Sequence, residues 1–263
     1  MANFEFWDNN LLETTTQIQF ISDSNTATAV NLFDRYKTRS YVTQNHGTNT
    51  SATIRINFDS TVPVSRIAVQ NHNLKQFRAY YNGVTANTFA LATGGDTSAT
   101  NYATFSGTSS CWMFSTTYVT SVSIQMDLAQ TDDTEKRVGE LWVSDLRLRL
   151  DVNPDIGGFD PLLRNKQIVH EMSDGGIAVY DIRDKWDCKM KLKYKGASMT
   201  TALRAIYDSK TDFCAIPFPT GTTWDSDIYN VVWVGPFDGL RPSGNNWRDL
   251  GFDHVFQLRE VSN

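Results

Sequence analysis

The residues able to carry chemistry are few and dispersed. Four histidines, His46, His72, His170 and His254, stand apart, and none has another at the i, i+4 spacing that sets two imidazoles on one helix face to hold a metal. HEMSD at His170 shares only its first two letters with a zinc-protease signature. The chain holds no GxSxG nucleophile elbow, no GxxxxGK[ST] phosphate loop and no GxGxxG turn after a strand. Cys111, Cys188 and Cys214 make an odd count without CxxC spacing, which signals neither a zinc site nor a disulfide framework; buried thiols are the expectation. The acidic pairs Asp132 with Asp133 and Asp225 with Asp227 fall in polar loops. Glycoside hydrolysis needs two carboxylates roughly 5 to 10 Å apart across a cleft, and neighbours in a loop do not supply that. The expectation is therefore a protein that is not an enzyme, with no catalytic set, no cofactor and no metal.

Binding chemistry has more to draw on. Trp112, Trp224 and Trp247 adjoin loop-like sequence and are candidate glycan contacts through ring stacking, in competition with the usual role of large aromatics in a core. Lys189, Lys191, Lys193 and Lys195 alternate with Met190, Leu192 and Tyr194. A strand's two-residue period sets all four ammonium groups on one face, either as a solvated surface or as a candidate intersubunit contact with an acidic neighbour. Asn71, His72 and Asn73 directly follow a strand and read as a turn held by side-chain to backbone bonds.

The elements that position these residues are short strands separated by Asn, Thr, Ser and Gly clusters. In Ala52 to Phe58, Ile54, Ile56 and Phe58 share one face and Thr53, Arg55 and Asn57 the other, the mark of a half-buried strand. Val64 to Gln70 alternates less cleanly. Further strands are predicted over 76–81, 118–128, 138–143 and 145–150, with 82–110 as strands broken by long loops. Two prolines and two glycines in Asp151 to Pro161 mark a linker. Beyond it, Met199, Ala202, Leu203 and Ile206 form an apolar stripe that predicts one helix over about 199–209, with Ser198 as its cap. Strands follow over 215–221, 228–235 and 251–261. The fold class is mainly β, in two domains, residues 1–150 and 151–263.

Charge and hydropathy narrow the partners. A formal net charge of -5 argues against a sequence-independent grip on nucleic acid or anionic lipid. No apolar stretch approaches the roughly 20 residues that span a bilayer. The opening MANFEFWDNN has no basic, apolar secretory pattern, so synthesis and assembly in a cytoplasm is the expectation.

NLFDRYKTRSYV at Asn31 to Val42 resembles the discoidin-type pattern in which a Leu-Phe-Asp turn precedes a Thr and a core aromatic, here Leu32, Phe33, Asp34, Thr38 and Tyr41. Ser65 to Gly83 is similar to that family's strand, loop, strand and turn glycine, and Val138 to Leu148, with Glu140 and Leu141, to its closing strand. The resemblance implies a discoidin-like, galactose-binding-like β-sandwich (jelly roll) over 1–150. Asn165 to Val261 resembles, more loosely, the single-helix β domains of distal-tail and tail-tube proteins of tailed bacteriophages. That implies a β-barrel or sandwich with one helix over 151–263. The combination implies a structural component of a phage tail near its tip or baseplate, a virion protein assembled in the host cytoplasm. Its expected partners are copies of itself in a ring, with six as the number considered, and other tail proteins. The alternative is a carbohydrate-binding adhesin that recognises a host surface glycan through the jelly-roll loops.

Overall fold

A computed structural model describes residues 3–13, 17–21, 28–34, 39–43, 52–74, 77–83, 89–91, 109–126, 136–154, 159–171, 177–217, 228–242 and 252–261. The chain is mainly β. In order it forms β1 (Glu5–Trp7), β2 (Gln17–Ile21), β3 (Tyr41–Val42), β4 (Ala52–His72), β5 (Phe77–Gly83), β6 (Phe89–Leu91), β7 (Ser110–Met126), β8 (Arg137–Ser144), β9 (Leu146–Arg149), β10 (Phe159–Glu171), β11 (Ile177–Lys195), α1 (Ala197–Ser209), β12 (Phe213–Ile216), β13 (Tyr229–Pro242) and β14 (Phe252–Glu260), with short 3-10 turns at Leu11–Glu13 and Ala29–Leu32.

These elements form two compact units. The first takes Met1–Arg149 and Cys214–Ile228, the second Leu150–Phe213 and Tyr229–Ser262. The segment Cys214–Ile228 thus groups with the first unit, where a single cut after residue 150 assigns it to the second. Its strand explains why: β12 is annexed by β1, with Glu5 opposite Ile216 and Trp7 opposite Cys214. Backbone pairing, which the hydrophobic pattern of a four-residue strand cannot reveal, decides where it belongs.

In the first unit the strands expected over 52–58 and 64–70 are one long strand, β4. It pairs antiparallel with β7 along almost its whole length, and the register shifts between Asn57 and Val62 and again between Val64 and Arg66. Bulges of this kind bend strands and carry them from one layer of a sandwich into the other. Accordingly Ile54 and Ile56 from the first half of β4 and Ile67 and Val69 from the second meet in one core with Val119, Val122, Trp112 and Leu141. Leu32 and Tyr41, from the discoidin-like segment, are fully buried in that core. Asp34 lies 3.9 Å from Arg39. Thr38 lies outside the described residues.

The untidy alternation of Val64 to Gln70 also has a cause: every residue in it is buried. Val64, Ile67 and Val69 enter the first core, whereas Ala68 joins Trp7, Cys111, Trp142, Cys214, Ile216 and Ile228 in a second one. A strand covered on both faces shows a near-continuous apolar run instead of a period of two. The covering layer is the ladder β12-β1-β9.

The second unit orders its strands β10-β11-β14-β13. Helix α1 starts two residues earlier than its apolar stripe predicts. Its N-cap is Gly196, without a side-chain bond, so Ser198 does not cap it; Ser198 lies inside the first turn. Met199, Leu203 and Ile206 are buried as the stripe requires. Lys210 closes the helix in the left-handed conformation, φ 50°.

Candidate functional site

A cleft of about 600 Å³ opens on the first unit, lined by Ser65, Arg66, Met113, Phe114, Ser115, Thr116, Leu146 and Arg149. Three strands supply these residues. β4 and β7 are offset by the bulge at Arg66, which frees side chains from strict alternation and aims them into one space. β9 then places Arg149 directly across from Glu5 of β1.

Beneath the cleft lies a buried ion cluster. Arg66 donates from Nε to Glu5 Oε2 at 3.0 Å and from Nη2 to Oε1 at 3.2 Å. Its Nη1 donates to the carbonyls of Ser65 and Phe114 at 2.8 and 3.2 Å. Trp7 Nε1 donates to Glu5 Oε2 at 2.9 Å, and Arg149 donates from Nε at 2.8 Å and from Nη2 to Oε1. Solvent does not reach the Glu5 carboxylate, and Arg66 is 3% exposed. Burial pushes the Glu5 pKa up, but the Arg66 hydrogen bonds and charge, with those from Trp7 and Arg149, outweigh it and hold the group below its ordinary value. Glu5 is thereby fixed as an anion with both oxygens occupied, an anchor for two guanidinium groups and not a general acid.

The cleft wall is divided by polarity. Met113, Phe114 and Leu146 are partly buried apolar surface. The Phe114 ring stacks on Tyr81, 5.0 Å between centroids and 11° from parallel, which holds it in one orientation. Ser115 and Thr116 are exposed. Asp145 accepts from the hydroxyls of Ser65 and Thr116, the latter at 2.9 Å, and Ser65 Oγ accepts in turn from the Leu146 N–H at 2.9 Å. Such a surface can take a small amphipathic ligand, with C–H groups on the ring and polar edges toward Arg149 and Ser115.

The residues singled out in the sequence lie elsewhere. Trp112 faces the opposite side of β7 from Met113 and is 2% exposed in the first core, so its ring offers no face to a sugar and it is not a glycan contact. Trp224 and Trp247 fall outside the described residues, as do His46 and the acidic pairs at 132–133 and 225–227. Lys189, Lys191 and Lys193 are exposed on one face of β11 as expected; the Lys195 side chain lies outside the described set. Among the described residues no group of acids, histidines and cysteines gathers as metal ligands. All three cysteines are buried and unbridged.

Asn71 and His72 are not the turn expected of them but the end of β4, with His72 opposite Val138; the expected side-chain to backbone bonds are present. Asn71 adopts φ 48°, the His72 Nδ1 accepts the Leu74 N–H at 3.1 Å, and Asn73 Oδ1 accepts the Arg137 N–H at 2.7 Å. Burial drives the His72 pKa down to about 3.

Glu5 and Arg66 carry the site and escaped the sequence reading. One signal was present: Arg66 sits in VSRIAVQ, whose neighbours are apolar on both faces, so a charge there needs a buried partner. The partner is 61 residues away, and no spacing rule connects them.

No family model matches the chain, and no curated protein matches it. Solved structures overlap part of it. It is similar to chitosan-binding module 1 of a chitosanase/glucanase from Paenibacillus sp. IK-5, at 15% identity over 52% of this chain and 98% of that one, TM-score 0.41. It is also similar to CpGH89CBM32-6 of Clostridium perfringens, at 14% identity over 51% and 98%, TM-score 0.39. A pectin-binding carbohydrate-binding module overlaps at 8% identity over 49% and 89%, TM-score 0.35.

Proposed function

We propose that this protein is a non-catalytic carbohydrate-binding protein whose first unit takes a sugar in the cleft between β4, β7 and β9. The observation that carries this reading is the division of the cleft wall: a rigid phenyl ring and aliphatic side chains on one part, guanidinium and hydroxyl groups on the other. A pyranose has the same division, with C–H faces and hydroxyl edges. Single-site affinity of an open cleft is weak, and display of several copies together raises it. The test is a glycan array probed with the full chain, labelled and presented multivalently. Binding to a related set of glycans is the expected result; an array without hits contradicts the reading.

A second reading, a structural component of a bacteriophage tail, is favoured by a feature of the second unit. Among the described residues β10 is the end strand of the series β10-β11-β14-β13 and presents thirteen residues of backbone. A sheet edge of this length is a template for a strand from a neighbouring subunit. Leu162 is 47% exposed on β10, and the lysine face of β11 lies beside it. The resemblance of Asn165 to Val261 to distal-tail and tail-tube proteins points the same way. Both roles can reside in one chain, with the second unit assembling a ring and the first displayed on it. A protein that stays monomeric at high concentration and is absent from purified particles by mass spectrometry contradicts this part.

A further inference from the structure

We infer that the cleft selects sugars bearing a carboxylate, through Arg149. The inference rests on the carbohydrate-binding reading and adds a ligand class to it. Glu5 carries one negative charge, and Arg66 already answers it with a two-point, side-on pair in which all three of its nitrogens are engaged. Arg149 is a second positive charge on the same carboxylate. It spends Nε and Nη2 on Glu5 Oε1, its Nη1 has no hydrogen-bond partner among the described residues, and its side chain is 53% exposed.

The acids nearby do not occupy it. Asp145 is held by the Ser65 and Thr116 hydroxyls, and Asp8 lies 3.5 Å from Arg147. Among the described residues no carboxylate lines the cleft, whereas two guanidinium groups do. Arg66 is consumed by its protein partners, so the group left to meet a ligand is Arg149.

This guanidinium already binds a carboxylate oxygen in Glu5, and charge-assisted bonds of that kind are about twice as strong as neutral ones. A ligand carboxylate on the outer edge of Arg149 would share the cleft with the apolar wall formed by Phe114 and Leu146. A uronic acid unit places its carboxylate at the rim of a ring whose C–H face can rest on such a wall. A neutral hexose offers the same face with a hydroxymethyl group instead.

The experiment is calorimetric titration of the full chain with two oligosaccharides that differ only in a terminal glucuronate or glucose. The glucuronate form is expected to bind roughly tenfold more tightly, the effect of one charge-assisted contact. In Arg149→Gln the glucuronate form should lose more affinity than the glucose form, so that the difference between them closes, and Arg149→Lys should keep part of it. Arg149 is half-exposed, so folding of both variants is checked by their melting curves. Equal binding of the two sugars by the unaltered protein, or a preference that survives in Arg149→Gln, overturns this inference and leaves the carbohydrate-binding reading in place. Binding of neither sugar, with no other glycan bound, overturns both.

Discussion

Arg66 meets Glu5 side on, Nε to Oε2 at 3.0 Å and Nη2 to Oε1 at 3.2 Å, with both side chains buried. The pair ties β4 of the sandwich to β1 of the ladder that covers it. Breaking a buried ion pair by removing one partner costs about 3 to 5 kcal/mol, because the other charge stays buried. Glu5→Gln and Arg66→Met should each lower stability by that order in urea denaturation. The double variant should lose less than the sum, since the shared interaction is counted once.

Acid should weaken the first unit from two sources. The His72 pKa is lowered from 6.5 to about 3 in the fold, so below pH 6.5 the unfolded chain binds a proton that the folded chain refuses. Stability is complete above pH 6.5 and falls toward pH 3, by up to about 1.4 kcal/mol for each unit. Glu5, held below its ordinary 4.5, adds a further loss as pH drops through that value. Urea midpoints measured from pH 7 to pH 4 should decline, and His72→Gln should flatten the decline between pH 6.5 and 5.

Thiol chemistry should be silent in the native state. Burial raises the Cys188 thiol to about 12, and Cys111 and Cys214 are fully buried. Thiolate is the reactive form, so a native sample at pH 8 should release no colour with a disulfide reagent over minutes. The denatured chain should release three equivalents, one for each cysteine of the sequence.

The stacked pair of Phe114 and Tyr81 predicts how the cleft responds to truncation. Phe114→Ala removes the platform and should weaken glycan binding about tenfold, near the upper value for one aromatic contact. Because Phe114 is only partly buried against the core, melting should change little by comparison.

The proposed assembly through the second unit predicts two separable effects. Leu162→Asp on the edge strand β10 should shift the oligomer toward monomer in light scattering. Reversing the charge of the exposed Lys189 and Lys191 should change the salt dependence of assembly, since exposed charges are screened within about 10 Å at 0.1 M salt.

The fold was legible wherever one residue's pattern is set by one neighbouring layer. Ile54 and Ile56 alternate because β4 is half-buried there, and Met199, Leu203 and Ile206 stripe a helix with one covered face. Legibility failed where pairing across long stretches decides the outcome. β12 follows α1 in sequence yet its Cys214 and Ile216 pack with Trp7 and Trp142 of the first unit. The cleft is hidden for the same reason: Glu5, Arg66 and Arg149 converge from three strands, and the partners lie 61 and 144 residues apart. Trp112 misleads because a loop-like neighbourhood says nothing about which side of a strand a ring takes.

Hydrogen–deuterium exchange of the full chain, with and without the strongest oligosaccharide from the array, tests the central claim most directly. A ligand seated in the cleft should slow exchange in residues 113–116 and 146–149 and leave the second unit unchanged. Protection confined to other segments, with these two unaffected, would contradict the assignment of the cleft as the sugar site.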